Sequence, residues 1–268
     1  MDFSLVIGIV IGMAMILGGF TLEHGVIASL IQLSPAMIVI GGTIGAVFAS
    51  FSTADIVKAF KALKGSFSKS ARGNPQMVIA KLCEISDKCR KEGILSLEAS
   101  LDDPDLKKDD YLFLKEGLIL VLDGKSEEEL ANTLESDIKA FVVHKQLEIA
   151  VFEGAGGFSP TMGVLGTVMS LVNVLAHMGN DPTALAESIA SAFIATLYGV
   201  GLANIVWLPI ASKLKSNLKR LKLQREMILD GICMIARGEP SRNVENKLSL
   251  YWQAFPGGAK KYKAGIEN

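Results

Sequence analysis

The chain alternates between stretches dense in charge and stretches with almost none, and the uncharged stretches set its architecture. Four apolar runs stand out, at about residues 3–20, 35–51, 155–178 and 189–211. The first two hold no ionisable side chain, and each approaches the roughly 20 residues that a helix needs to cross a hydrocarbon core about 30 Å thick. The third follows Glu153 and the fourth follows Glu187. A soluble protein can bury one such run. Four of them, with a positive mean hydropathy and only 21% charged residues, predict an all-α integral membrane protein with four transmembrane helices.

Charge then orients the spans. All 27 lysines and arginines lie from Lys58 to Lys145 or from Lys213 onward, so residues 1–57 and 146–212 carry none. Lys58, Lys61, Lys64, Lys69 and Arg72 follow the second run, Lys145 precedes the third, and Lys213, Lys215, Lys219, Arg220, Lys222 and Arg225 follow the fourth. The connections at 21–34 and 179–188 are free of basic residues. Cytoplasmic flanks collect Lys and Arg, so both long polar regions and both termini are expected on the cytoplasmic side of the membrane. The first run lacks a basic leader and a small-residue cleavage site, and reads as a retained anchor. Cys83, Cys89 and Cys233 fall on the reducing side without metal-like spacing, as ordinary thiols.

The predicted organisation is a first transmembrane hairpin at 1–51, a cytoplasmic helical domain at 52–148, a second hairpin at 149–211, and a cytoplasmic helix and tail at 212–268. Within the second of these, "NPQMVIAKLCEISDKCRKEGILSLEASLDD" alternates apolar and charged faces, with Pro75 fit for a first helical turn after Asn74 as cap and Gly93 permitting a break. Pro104 marks a turn before "YLFLKEGLILVLDG", which Gly124 can end. Ser126 and Glu129 form a capping-box pattern opening a helix that continues toward the third span. "KLKSNLKRLKLQREMILDGICMIARGEP" should form another long helix packed against it, and the tail beyond Pro240 is expected to hold short-range structure or partial disorder.

Small residues four apart, Gly8 and Gly12, Gly41 and Gly45, and Gly163 and Thr167, let membrane helices approach closely, within one subunit or between subunits. Pro160 sits near the cytoplasmic end of the third span, where it can loosen or bend the helix. Thr167 lies seven residues on, near the same face, and Thr196 and Pro209 stand 13 residues apart in the fourth span. A threonine hydroxyl can bond its own helix backbone or line a polar passage, and the residues alone leave both readings open. Neither span has an ionisable residue near its centre, so an ion path here would take its carboxylate from a partner. Glu153 and Glu187 fit membrane interfaces. His24, His144 and His177 are scattered, and with no phosphate loop, metal cluster or nucleophilic constellation the chain reads as a non-enzyme without cofactors. No nucleic-acid partner is expected.

"SPTMGVLGTVMSL" and "ATLYGVGLANIVWLP", in this order and on four spans with a large cytoplasmic region after the second, closely resemble the A subunit of the bacterial flagellar motor stator, the MotA/PomA family, over nearly the whole chain. TolQ/ExbB-type energising proteins share the character of the last hairpin but usually have three spans. The resemblance implies an ion-conducting complex that turns proton or sodium motive force into torque, with five A subunits around two single-span, peptidoglycan-anchored B subunits. Each B subunit supplies a membrane aspartate to the permeating H+ or Na+. By the same resemblance Pro160 and Pro209 match functionally important membrane prolines, Thr196 the polar position near the ion route, and Thr167 a position that fits both sodium-driven and some proton-driven members. Arg90 and Glu98 match the family's charges facing the rotor's switch-complex protein. The alternative is the energising subunit of another ion-driven cell-envelope motor.

Overall fold

A computed structural model describes residues 4–66, 75–107, 111–176, 182–252 and 255, all of whose regular elements are helical. In chain order these are α1 (Ser4–Leu22), a 3-10 turn (Ile27–Leu30), α2 (Leu33–Ser50, with a π turn at Met37–Gly41), α3 (Thr53–Ser66), α4 (Pro75–Glu92), α5 (Ser96–Leu101), a second 3-10 turn (Pro104–Lys107) and α6 (Leu112–Leu122). They continue with α7 (Glu127–Ala176), α8 (Pro182–Gly201), a π turn (Leu202–Trp207), α9 (Leu208–Ala236) and α10 (Ser241–Trp252). Four of these stretches are long and apolar enough to cross a membrane, as expected: Ser4–Leu22, Leu33–Ser50, part of Glu127–Ala176 and part of Leu185–Ala236. At a rise of 1.5 Å per residue, the 50 residues of α7 extend about 75 Å, more than twice the hydrocarbon thickness, so the helix leaves the bilayer.

The helix ends follow from local chemistry. Ser126 and Glu129 close the anticipated capping box: the Glu129 N–H donates to Ser126 Oγ at 3.3 Å and the Ser126 N–H to the Glu129 carboxylate at 3.2 Å. Gly124, at φ 73°, ends α6 with its N–H on the Val121 carbonyl. Gly93 takes φ 82° and stops α4 at Glu92. Pro75 opens α4, while the Asn74 cap lies outside the described residues.

Contacts divide the chain into two compact units, one of residues 1–67 and 145–215, the other of 68–144 and 216–268. In the first unit, α2 and α7 run antiparallel: a Cβ on Gly166 would meet Ile38 at 3.4 Å and one on Gly42 would meet Met162 Sδ at 2.8 Å. α3 joins this unit through Phe60, which packs edge to face on Phe152 with ring centroids 5.7 Å apart. Gly8, Gly12, Gly41 and Gly45 have open space where a Cβ would stand, so of the expected glycines only Gly163 makes a close helix contact among the described residues.

The second unit has its own core, built from Leu82, Ile85, Leu97, Leu114, Leu118, Leu130, Leu134, Met227 and Ile232. α9 packs on the first turns of α7 as the sequence suggested. Gly117 lets Ile232 reach the α6 backbone, and Arg225 lies 3.7 Å from the Phe141 ring centroid while bonding Asp137 at 2.6 Å. The segment after Pro240 departs from expectation. Val244, Leu248 and Tyr251 recur at one helical face, so Ser241–Trp252 folds as a helix that buries Val244 and Leu248. The Tyr251 hydroxyl donates to Asp230 at 2.7 Å, and Ser86 Oγ donates to the Glu239 carbonyl at 2.8 Å.

Burial, with Glu245 and Asp87 nearby, pushes the Cys83 thiol up to about 11. Only the thiolate is nucleophilic, so at pH 8 Cys83 should alkylate on the order of a hundredfold more slowly than a free thiol and accelerate as pH rises toward 11. Iodoacetamide labelling followed by mass spectrometry measures this, and rapid labelling at pH 8 would contradict the packing of α10 over Cys83.

Candidate functional site

Two glycines decide how closely the third and fourth spans meet. A Cβ on Gly163 would lie 2.9 Å from the Ala195 carbonyl and 3.2 Å from Gly199 Cα; one on Gly199 would lie 2.7 Å from the Ser159 carbonyl and 2.9 Å from Gly163 Cα. These neighbours are backbone atoms, which cannot swing aside as a side-chain tip can. The helices therefore touch main chain to main chain, the approach that small residues permit in membranes.

One turn toward the outer side of that contact, the helices bring Thr167 and Thr196 together. Their hydroxyl oxygens are 2.6 Å apart. Thr167 Oγ1 also lies 3.1 Å from the Gly163 carbonyl and 3.0 Å from the Ala192 carbonyl. Carbonyls only accept and each hydroxyl has one proton, so every group is satisfied when Thr167 donates to a carbonyl and Thr196 donates to Thr167. Thr167 thus reaches its own helix, as one sequence reading had it, and the facing helix as well. The result is a cluster of four oxygens at half-buried side chains between uncharged helix segments. Such a set can replace part of a cation's water shell. It offers no carboxylate, because neither helix carries an acidic side chain near it.

The two prolines occupy different places. Pro160 lies two turns inward from Thr167 inside α7, which stays helical through it; lacking an N–H, it leaves the Gly156 carbonyl without its helical donor. Ser159, beside it, is fully buried, and its Oγ has no hydrogen-bond partner among the described residues. Pro209 stands 13 residues from Thr196, roughly 20 Å along the helix, and is not part of the cluster. The turn before it, Leu202–Trp207, widens to a π-helix, as expected where a proline ring crowds the preceding carbonyls. Leu208 packs against Gly156, 2.6 Å from where its Cβ would be, so the weakened turn of one span meets the other.

Several neighbours escaped sequence reasoning. Gly199 was visible as a small residue three positions after Thr196, but its partnership with Gly163 depends on helix register. Tyr198 donates to the Leu30 carbonyl at 2.5 Å and accepts from the Gln32 N–H at 3.1 Å, tying α8 to the outer connection. That link spans more than 160 residues and leaves no local signal. Glu153 pairs with Lys215, while Glu187 is exposed.

In the second unit, Arg90 lies in the last turn of α4 and Glu98 in the first turn of α5. Both are exposed and neither has an ion-pair partner among the described residues. The Gly93 break puts them on separate helices. Each sign suits its helix end, which accounts for the placement without a partner and leaves both charges available to one.

Residues 106–227 match the MotA/TolQ/ExbB proton channel family, and residues 6–93 match the Motility protein A N-terminal family. The chain is 33% identical over 254 residues to Motility protein A of Bacillus subtilis (strain 168), covering 95% of this chain and 92% of that one. It superposes on a structure of C. jejuni MotAB with a TM-score of 0.86 and 30% identity, over 96% of this chain and 98% of that one. It also superposes on the flagellar MotAB stator complex from Bacillus subtilis with a TM-score of 0.84 and 32% identity, over the same shares.

Gly199→Ala should destabilise the protein by about 1–3 kcal/mol through overpacking against backbone and separate the two threonines. The readout is a lower melting temperature of the detergent-purified protein; unchanged melting would contradict the close approach.

Proposed function

Because the chain belongs to the MotA/TolQ/ExbB proton channel family and is a stator subunit of the flagellar motor, working with a B-type partner, we propose that its Thr167–Thr196 cluster hands H+ or Na+ to a carboxylate of that partner. The observation that carries this reading is the meeting of the Thr196 hydroxyl and two carbonyls at the Thr167 hydroxyl, each within about one hydrogen-bond length of it, between uncharged spans. Family members are ion-conducting channel subunits, and H+ or Na+ is the species they move without a bound cofactor. The protein is accordingly multi-pass in the inner membrane, with cytoplasmic termini.

The proposed cycle needs charge from elsewhere, because these spans have none. An ion arriving from outside sheds water onto the threonine and carbonyl oxygens and passes to an aspartate on the partner's single span. A carboxylate in an apolar surrounding favours its neutralised form, so loading changes which surface of this subunit it prefers. Release to the cytoplasm restores the charge and draws the carboxylate to the next equivalent site. With five A subunits around two B subunits held by peptidoglycan, the mismatch lets the same step repeat, and the A ring turns. Pro160 gives the third span local freedom beside the cluster, and Pro209 with its π turn does the same at the inner end of the fourth. The cytoplasmic domain at 52–148 would then drive the rotor's switch-complex protein through Arg90 and Glu98, whose reversible charge contacts suit a moving interface.

Tethered-cell rotation in a strain lacking this chain and complemented with it, with sodium varied at fixed pH and membrane voltage, tests the proposal. Restored rotation is expected, rising with sodium for Na+ coupling and insensitive to it for H+. Failure to rotate at normal membrane abundance of both subunits would overturn the assignment. Pro160→Ala should reduce torque severalfold while leaving membrane abundance unchanged; wild-type torque would remove Pro160 from the mechanism. Arg90→Glu should lower rotation but leave ion flux intact, whereas unaltered rotation would remove Arg90 from the rotor contact.

A further inference from the structure

The fourth span presents a second oxygen that the threonine cluster does not use. Phe193, Leu197, Val200 and Leu208 line one exposed stripe of this helix, and the only polar residue interrupting that sequence of positions is Asn204, itself exposed. A carboxamide turned toward hydrocarbon is unfavourable, and in membrane helices such residues face a partner or a water-filled path. Asn204 Nδ2 donates to the Val200 carbonyl at 2.9 Å. That bond fixes the amide's orientation, because only the nitrogen end can donate to a carbonyl. Oδ1 therefore points away as a free acceptor, with no partner among the described residues.

Its place along the helix gives the oxygen meaning. Asn204 lies eight residues past Thr196, about 12 Å toward the cytoplasm. The Gly163 and Gly199 contact sets antiparallel register between the spans, so Asn204 stands level with Ser159 and Pro160. It also sits inside the Leu202–Trp207 π turn, where backbone carbonyls leave their ordinary helical partners, a feature that recurs at functional positions. A fixed acceptor oxygen and loosened carbonyls thus occur together on the inward side of the threonines.

We propose that Asn204 Oδ1 is a second ligand for the permeating monovalent cation, receiving it on the cytoplasmic side of the Thr167–Thr196 cluster before release. The inference rests on the ion-conducting reading above and adds a station to its route. A purely structural Asn204, serving only to bond the Val200 carbonyl, makes a different prediction. It needs the donor nitrogen, whereas a cation ligand needs the acceptor oxygen.

Asn204→Asp and Asn204→Leu separate the two. Ion flux would be measured in vesicles holding this chain with its B-type partner, using sodium-sensitive and pH-sensitive dyes, alongside co-purification of the partner. Asn204→Leu should cut flux about tenfold with partner recovery unchanged. Asn204→Asp, which keeps the oxygens and loses the donor, should still conduct and reach half-saturation at a several-fold lower ion concentration. The proposal is overturned if Asn204→Leu conducts within twofold of wild type, if Asn204→Asp loses flux as Asn204→Leu does, or if either loses the partner, which would make Asn204 a docking contact. A wild-type complex that passes neither ion would instead overturn the ion-conducting reading itself.

Discussion

The main-chain contact of Gly163 with Gly199 is the constraint from which the intramembrane site follows. Lipid tails are as apolar as the helices, so membrane helices gain little by hiding apolar surface from one another and depend on close packing and hydrogen bonds. Removing two side chains at one level allows backbone to meet backbone. Once the helices are that near, Thr167 reaches the Ala192 carbonyl and the Thr196 hydroxyl across the interface. Hydroxyls that would otherwise face only their own helices become a shared oxygen cluster.

The lack of any charge in these spans gives the cluster its character. In the proposed route, hydroxyls and carbonyls would lend oxygens to a passing ion and let go of it, since none holds a full opposite charge. A carboxylate at the same place would hold a cation far longer. In the proposed cycle the carboxylate belongs to another polypeptide, which would make loading and unloading an event between subunits, and so able to move them. Pro160 and the π turn before Pro209 lie inward of the cluster, where local backbone freedom can follow that event without disturbing the glycine contact.

Much of this was legible in the sequence because it depends on local or compositional physics. Four apolar runs gave the spans, basic flanks gave the orientation, and the Ser126, Gly93 and Gly124 signals fell at helix boundaries. What escaped depends on register between distant segments. Nothing near Gly199 announces Gly163, and nothing near Tyr198 announces Leu30. The helix at Ser241–Trp252 was missed for a related reason: its apolar face is short, and only the groove beside α4 and α9 makes Val244 and Leu248 worth burying. Asn204 could have been noticed as a polar residue in an apolar run, but its free oxygen became meaningful only once the Val200 bond fixed the amide.

The most direct test of the cluster as the ion's oxygen set is ion flux through the complex with Thr196 replaced by valine, which keeps the shape, and by serine, which keeps the hydroxyl. The account predicts that Thr196→Val loses at least about tenfold, the scale of one hydrogen-bond-sized contribution, while Thr196→Ser stays near wild type, both at unchanged complex abundance. Equal flux through the valine and wild-type complexes would contradict it.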